Sequence, residues 1–177
     1  MTHSFHIGFI EDWLSAHVVP LYNTHTFHNS ANLSKSAPGT IPSRQDAPHP
    51  HEVILDPTGS FIVVPDLGAD LVRVFSIDAT TSLLTEKTPL KVTTGAGPRH
   101  GAFLKSGKET SFFLVAELDN KVRSFKVKYG MDQITFEEVF EAGTLGNTAI
   151  PAGAAAAECL VSVSPQTVFP TKYKSRN

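Results

Sequence analysis

Cysteine is almost missing from this chain: among 177 residues there is one, Cys159. A lone cysteine closes no internal disulfide, so the fold must rest on its core and its hydrogen bonds, and a reducing compartment is permitted. No apolar run approaches the roughly 20 residues that a membrane helix needs. The opening Met1–Trp13 lacks a basic stretch followed by a clean apolar one, so it does not read as a signal peptide. No membrane partner and a cytoplasmic location are the expectations. Charge is scarce as well, at 18% of residues with a formal net of −2. That is too little positive field to hold nucleic acid through its phosphates. From residue 53 onward a helical period is also missing. Hydrophobic content, at 41%, is ordinary for a folded domain.

What the chain does have is a repeat. His51-Glu-Val-Ile-Leu-Asp-Pro-Thr-Gly59 aligns with His100-Gly-Ala-Phe-Leu-Lys-Ser-Gly107, and each leads into an apolar run, Phe61–Val64 and Ser111–Ala116. The runs end in Asp66-Leu67 and Glu117-Leu118, then continue into Leu71-Val-Arg-Val-Phe75 and Lys121-Val-Arg-Ser-Phe125. The step is 49 residues from His51 to His100 (100 − 51) and 50 from Phe75 to Phe125 (125 − 75). A shorter echo begins at Glu158-Cys-Leu-Val-Ser-Val-Ser-Pro165. Short apolar or alternating segments, punctuated by turns such as Asp56-Pro-Thr-Gly59, give four strands per unit. A period near 50 built from four strands is that of propeller blades.

The fold class is therefore all-β, a partial β-propeller of about three four-stranded blades. Closed propellers typically have four to eight blades, so the chain reads as part of a ring, with bare strand edges through which it could self-associate. Two blades are expected over about His51–Thr93 and Pro98–Phe140, with Val63 and Leu114 in buried inner strands. Residues 1–43 form a separate, irregular segment rich in histidine and turn formers. Within it, Phe5–Tyr22 reads either as a short helix or as a damaged blade.

Several polar residues stand where a structural repeat needs none. His51 and His100 fall at equivalent positions of the alignment, as do Asp66 and Glu117. A histidine there can bridge blades, and an acid at a strand end can satisfy turn amides, so each has a structural reading beside a functional one. His100 and Asp66 lean structural. Asp66-Leu-Gly-Ala-Asp70 lacks the oxygen ligands of a calcium loop and reads as a turn. His25 and His28 lack a third ligand, so no metal is expected. Gly95-Ala-Gly97 has neither the lysine nor the helix of a phosphate loop. Cys159, between apolar neighbours, reads as a core residue.

The strings Pro48-His-Pro-His-Glu-Val53, Pro65–Asp70, Gly95-Ala-Gly-Pro-Arg-His100, Ala116-Glu-Leu118, Ala156-Ala-Glu158 and Ser175-Arg-Asn177 resemble the seven-bladed propeller lactonase family over about residues 44–177, beginning at Arg44-Gln45. That family includes propeller-type 6-phosphogluconolactonases and fungal 3-carboxy-cis,cis-muconate lactonizing enzymes. The resemblance implies a site at one mouth of a central channel, with no cofactor and no metal. It makes His51 and Glu117 the catalytic residues and Arg99 and Arg176 the substrate-binding ones. The residue chemistry agrees. Guanidinium groups hold carboxylate or phosphate in bidentate fashion, and a histidine with a carboxylate can move protons near neutral pH. The implied function is lactone formation or hydrolysis on a small anionic lactone or its open-chain acid. Two strings, Pro48–Val53 and Asp66–Asp70, tilt it toward the cycloisomerase branch. The alternative is a non-catalytic truncated propeller or interaction module, and on the blade count the isolated chain is expected to show little or no activity.

Overall fold

From residue 54 onward the described strands follow the order that the repeat calls for. The computed structural model describes residues 4–10, 13–19, 39–162 and 168–174. It opens on an antiparallel hairpin of β1 (Ser4–Ile10) and β2 (Trp13–Val19), so the described part of the segment read as a short helix or a damaged blade is strand rather than helix. Next come β3 (Ile54–Leu55), β4 (Phe61–Asp66), β5 (Leu71–Ile77) and β6 (Leu84–Lys91), which form one four-stranded antiparallel sheet in chain order. A second such sheet holds β7 (Pro98–Ser106), β8 (Glu109–Ala116), β9 (Lys121–Tyr129) and β10 (Ile134–Gly143). The third unit is a pair, β11 (Ala154–Val161) with β12 (Val168–Lys174). There is no helix among the described residues.

Alternation along each strand decides which sheet faces which. Phe61 and Val63 of β4, with Val72 and Val74 of β5, join Phe112, Leu114, Phe125 and Val127 in one core between the two sheets. Their neighbours Ile62 and Val64 point the other way, into a second cluster with Phe75. Strand β4 is thus buried on both faces, as its unbroken apolar run implies, and Val63 and Leu114 are fully buried. The far side of the second sheet packs Val115 against Ala156 and Cys159 of β11. Cys159 is the core residue that its neighbours suggest. Each large aliphatic or aromatic side chain sealed this way contributes about 1.5–3 kcal/mol.

Register corrects the alignment read from sequence. Pro50 bridges Asp66, and Pro98 faces Ala116. Ile54 faces Val63, and Ala102 faces Phe113. The inner strands therefore repeat at 48 residues (98 − 50, 102 − 54), whereas the middle strands repeat at 50 (116 − 66, 113 − 63). On that footing His51 corresponds to Arg99, not to His100, and Glu117 corresponds to Leu67, not to Asp66. Two hydrogen bonds agree: Leu67 N donates to the His49 carbonyl at 3.0 Å, and Glu117 N to the Gly97 carbonyl at 2.8 Å. The carbonyls of Asp70 and Asn120 likewise accept from Val92 at 3.1 Å and from Thr144 at 2.9 Å. Both residues stand at left-handed φ, 52° and 55°, to close the same turn.

Ahead of the first sheet, residues 39–49 lie as a strap over these turns. Gln45 is fully buried; its Nε2 donates to the Leu67 carbonyl at 2.9 Å, and its Oε1 accepts from Ile41 N at 3.2 Å. Gly68 has to be glycine because the Ala47 carbonyl of the strap occupies the place of a Cβ, 1.7 Å from it.

Candidate active site

Strand polarity brings the start of β3, the start of β7 and the turns after β4 and β8 to one end of the stacked sheets. His51 stands just before β3, Arg99 is the second residue of β7, and Glu117 opens the turn after β8. Gly97, at φ 64°, lets the chain enter β7 against the Leu118 side chain, which would meet any Cβ at 2.5 Å. These three expected residues come together. Arg99 Nε lies 2.9 Å from Glu117 Oε2, an ion-pair contact without the alignment of a hydrogen bond. Arg99 Nη1 donates to the Ala157 carbonyl of the third unit at 2.7 Å. His51 lies within electrostatic reach of both Arg99 and Glu117. Burial, and then the nearby Arg99 guanidinium, lower its pKa to about 4 against the pull of Glu117. At neutral pH His51 is an uncharged imidazole, able to accept a proton.

Arg176, the fourth expected residue, lies outside the described residues, as do His25 and His28. A guanidinium that the sequence reading did not single out stands beside Glu117 instead. Arg44, in the strap, donates from Nη2 to Glu117 Oε1. Each carboxylate oxygen of Glu117 therefore faces one arginine, Arg44 at Oε1 and Arg99 at Oε2. The sequence signal for Arg44 was its place at the head of the resemblance, in a turn-forming stretch just ahead of the Pro48-His-Pro-His string. Its contact spans 73 residues, a distance that only the stacking of blades determines.

A second group lies one step further in. His100 Nδ1 is 2.6 Å from Glu158 Oε2 on β11, and the His51 and His100 rings are 6.3 Å apart. Glu52 accepts the Gly101 amide at 2.9 Å, and burial raises its pKa. By register Glu52 and His100 are equivalents, and each reaches the following unit. His100 thus bridges blades, in keeping with its structural reading. Burial, with Glu52 and Glu158 nearby, pushes the Cys159 thiol up to about 12, so it is no nucleophile at neutral pH.

Asp66 takes its structural role. Its Oδ1 accepts the His49 amide at 2.7 Å, and its Oδ2 meets Arg73 Nε at 2.9 Å. Both carboxylate oxygens of Asp70 accept amides, those of Gly95 at 2.7 Å and Gly97 at 2.9 Å, which is turn chemistry. Among the described residues no three His, Cys, Asp or Glu side chains are grouped to hold a metal ion.

Successive four-stranded antiparallel meanders, with charged groups gathered at one end, define a propeller-type protein with a candidate site at that end. The chain belongs to the seven-bladed β-propeller lactonase family, whose model matches residues 15–171. Among curated proteins it is 43% identical over 108 residues to a probable 6-phosphogluconolactonase of Arthroderma benhamiae, covering 60% of this chain and 27% of that one. It is 36% identical over 94 residues to the 6-phosphogluconolactonase of Serratia proteamaculans, covering 52% and 28%. Among solved structures, a protein of Lactobacillus plantarum superposes with a TM-score of 0.69 at 23% identity, over 95% of this chain and 46% of that one. A periplasmic gluconolactonase of Pseudomonas aeruginosa gives 0.65 at 20%, over 96% and 47%. The matches thus span about a quarter of the curated relatives and just under half of the solved ones.

Proposed function

We propose that this chain carries a lactone-hydrolysing site that acts on a small sugar lactone, with the ring ester opened at the rim formed by His51, Arg99 and Glu117. The observation that carries the reading is the Arg99–Glu117 pair beside a neutral His51. Two of these residues replace others at repeat-equivalent positions, Arg99 for His51 and Glu117 for Leu67. The names of the curated relatives support a 6-phosphogluconolactone-like substrate over the muconate branch.

The chemistry follows from the placement. His51 takes a proton from a water as its oxygen bonds to the lactone carbonyl carbon. The electron pair of the C=O bond moves to its oxygen, where the Arg99 guanidinium stabilises the charge. Collapse of that intermediate breaks the ring C–O bond, and the departing alkoxide recovers the proton from His51. The product is the open hydroxy acid. Glu117, with both oxygens taken by arginines, serves as the positioning residue for Arg99 rather than as the base. Arg176 remains a substrate-binding residue on the strength of the resemblance alone.

The test measures hydrolysis of 6-phosphogluconolactone and calorimetric binding of 6-phosphogluconate, in the wild type and in Arg99→Ala and His51→Gln. Loss of turnover by about 10²–10³ in both variants is the expected outcome. Binding that depends on Arg99 without turnover would favour the non-catalytic alternative. Turnover and binding indifferent to both substitutions would sink the site.

A further inference from the structure

We infer that Arg44 is a specificity residue: it receives the remote anionic group of the substrate, a phosphate or phosphate-like dianion, while Arg99 serves the reacting carbonyl. This rests on the lactone-hydrolysing reading of the rim. The two arginines are not equivalent in depth. The Arg99 side chain is 23% exposed and occupied twice, at Nε by Glu117 and at Nη1 by the Ala157 carbonyl. The Arg44 side chain is 47% exposed, and its partner among the described residues is Glu117, at Nη2. A guanidinium has five N–H donors in a planar fork that matches phosphate oxygens. Most of the Arg44 fork therefore stays open toward solvent, on the outer side of a carboxylate whose inner side holds Arg99.

The strap holds that fork in place before any ligand arrives. Arg44 N and Gln45 N both donate to the Ile41 carbonyl at 2.8 Å, and Gly39 N donates to the Gln45 carbonyl at 2.9 Å. Gln45, fully buried, plugs into the Leu67 turn of the first blade. Its neighbour Arg44 reaches the equivalent turn of the second blade at Glu117. One strap thus reads both turns, and the arginine it presents is anchored at the backbone but open at the tip. A lactone seated with its carbonyl at Arg99 would extend any charged substituent outward, past Glu117, to Arg44. A substituent without charge would leave Arg44 paired with Glu117. Preference for a charged lactone over its neutral analogue follows from that geometry.

The test compares affinities for 6-phosphogluconate and gluconate by calorimetry in the wild type, Arg44→Gln and Arg44→Lys, with Arg99→Ala as reference. Arg44→Gln is expected to cut affinity for 6-phosphogluconate about tenfold more than affinity for gluconate. Arg44→Lys, which keeps a point charge without the fork, is expected to recover part of that selectivity. Arg99→Ala is expected to weaken both ligands alike. Equal weakening of both ligands by Arg44→Gln, or none, overturns the assignment, as does a wild type that binds neither. Hydrolysis of the two lactones is followed in parallel. Arg44-dependent selectivity in binding without hydrolysis sinks the lactonase reading and keeps this one, and hydrolysis with no Arg44-dependent selectivity does the reverse.

Discussion

The two complete blades share a backbone and differ at their rim. Both close the second hairpin with a left-handed residue, Asp70 or Asn120, whose carbonyl receives the chain leaving for the next unit. Both bury an arginine at the third position of the third strand. Arg73 meets Asp66 at 2.9 Å and Glu86 at 3.5 Å, and Arg123 meets Asp119 at 2.5 Å and Glu141 at 2.7 Å. At the rim the likeness ends. Where the first blade has His51 and Leu67, the second has Arg99 and Glu117. The first blade shows that the turn closes with a buried leucine, so the fold places no demand for a carboxylate there. Features common to the copies belong to the architecture; those that differ point to the chemistry.

That contrast can be broken most severely by exchanging residues between the copies. Glu117→Leu gives the second blade what the first already tolerates. It is expected to lower turnover, or affinity for 6-phosphogluconate, by a hundredfold or more, with thermal melting moved by only a few degrees. The reciprocal Leu67→Glu buries a charge in a turn whose arginine, Arg73, is already paired with Asp66 and Glu86. It is expected to lower stability by about 3 kcal/mol, read from the urea midpoint. A stable Leu67→Glu or a fully functional Glu117→Leu would erase the distinction.

A smaller effect comes from His51. Its folded pKa of about 4 lies below the value of 6.5 for an unperturbed histidine. Between those values the unfolded chain binds a proton that the folded chain does not, so stability falls as the pH drops through this window. A fully buried ring would lose about 3 kcal/mol between pH 7 and 4, and solvent reaching the half-buried His51 reduces that. Denaturant titrations at pH 7, 5.5 and 4 should show it in the wild type and a flatter profile in His51→Gln. Parallel profiles in the two proteins would mean that His51 is not buried as a neutral ring.

The smallest effect is expected at the second histidine. The Glu158 side chain that meets His100 is 43% exposed, so Glu158→Gln should cost less than about 1 kcal/mol. It should leave the pH window of His51 in place. A larger loss, or a displaced window, would tie His100 to the rim chemistry and blur the line between bridge and site.

Much of this was legible in the sequence, and the reason is periodicity. The unbroken apolar runs Phe61–Val64 and Ser111–Ala116 marked buried strands, and the family-like strings named His51, Arg99 and Glu117, which the blades bring to one place. The alignment of the two copies was not legible. It paired His51 with His100 and Asp66 with Glu117 because like residue types lay about one period apart. The true steps, 48 on the inner strands and 50 on the middle ones, depend on a hairpin length that residue identities do not reveal. Arg44 escaped for a related reason. Its one mark is its place at the head of the family-like strings, and its partner is chosen by how a strap crosses from one turn to the next.

That difference in hairpin length has a practical side. In the first blade Leu55 faces Ile62 across a six-residue connection, whereas in the second Ser106 faces Glu109 across Gly107-Lys108 alone. The copies have thus absorbed a change of chain length at the end of the strands away from the rim. Gly107 has a positive φ of 60° and open space around it. It sits eight residues along β7 from Arg99, about 25 Å at strand rise. A fluorophore or an epitope tag inserted between Gly107 and Lys108 would extend a loop that the first blade already carries in longer form, and would report on ligand binding from a distance without touching the groups that bind.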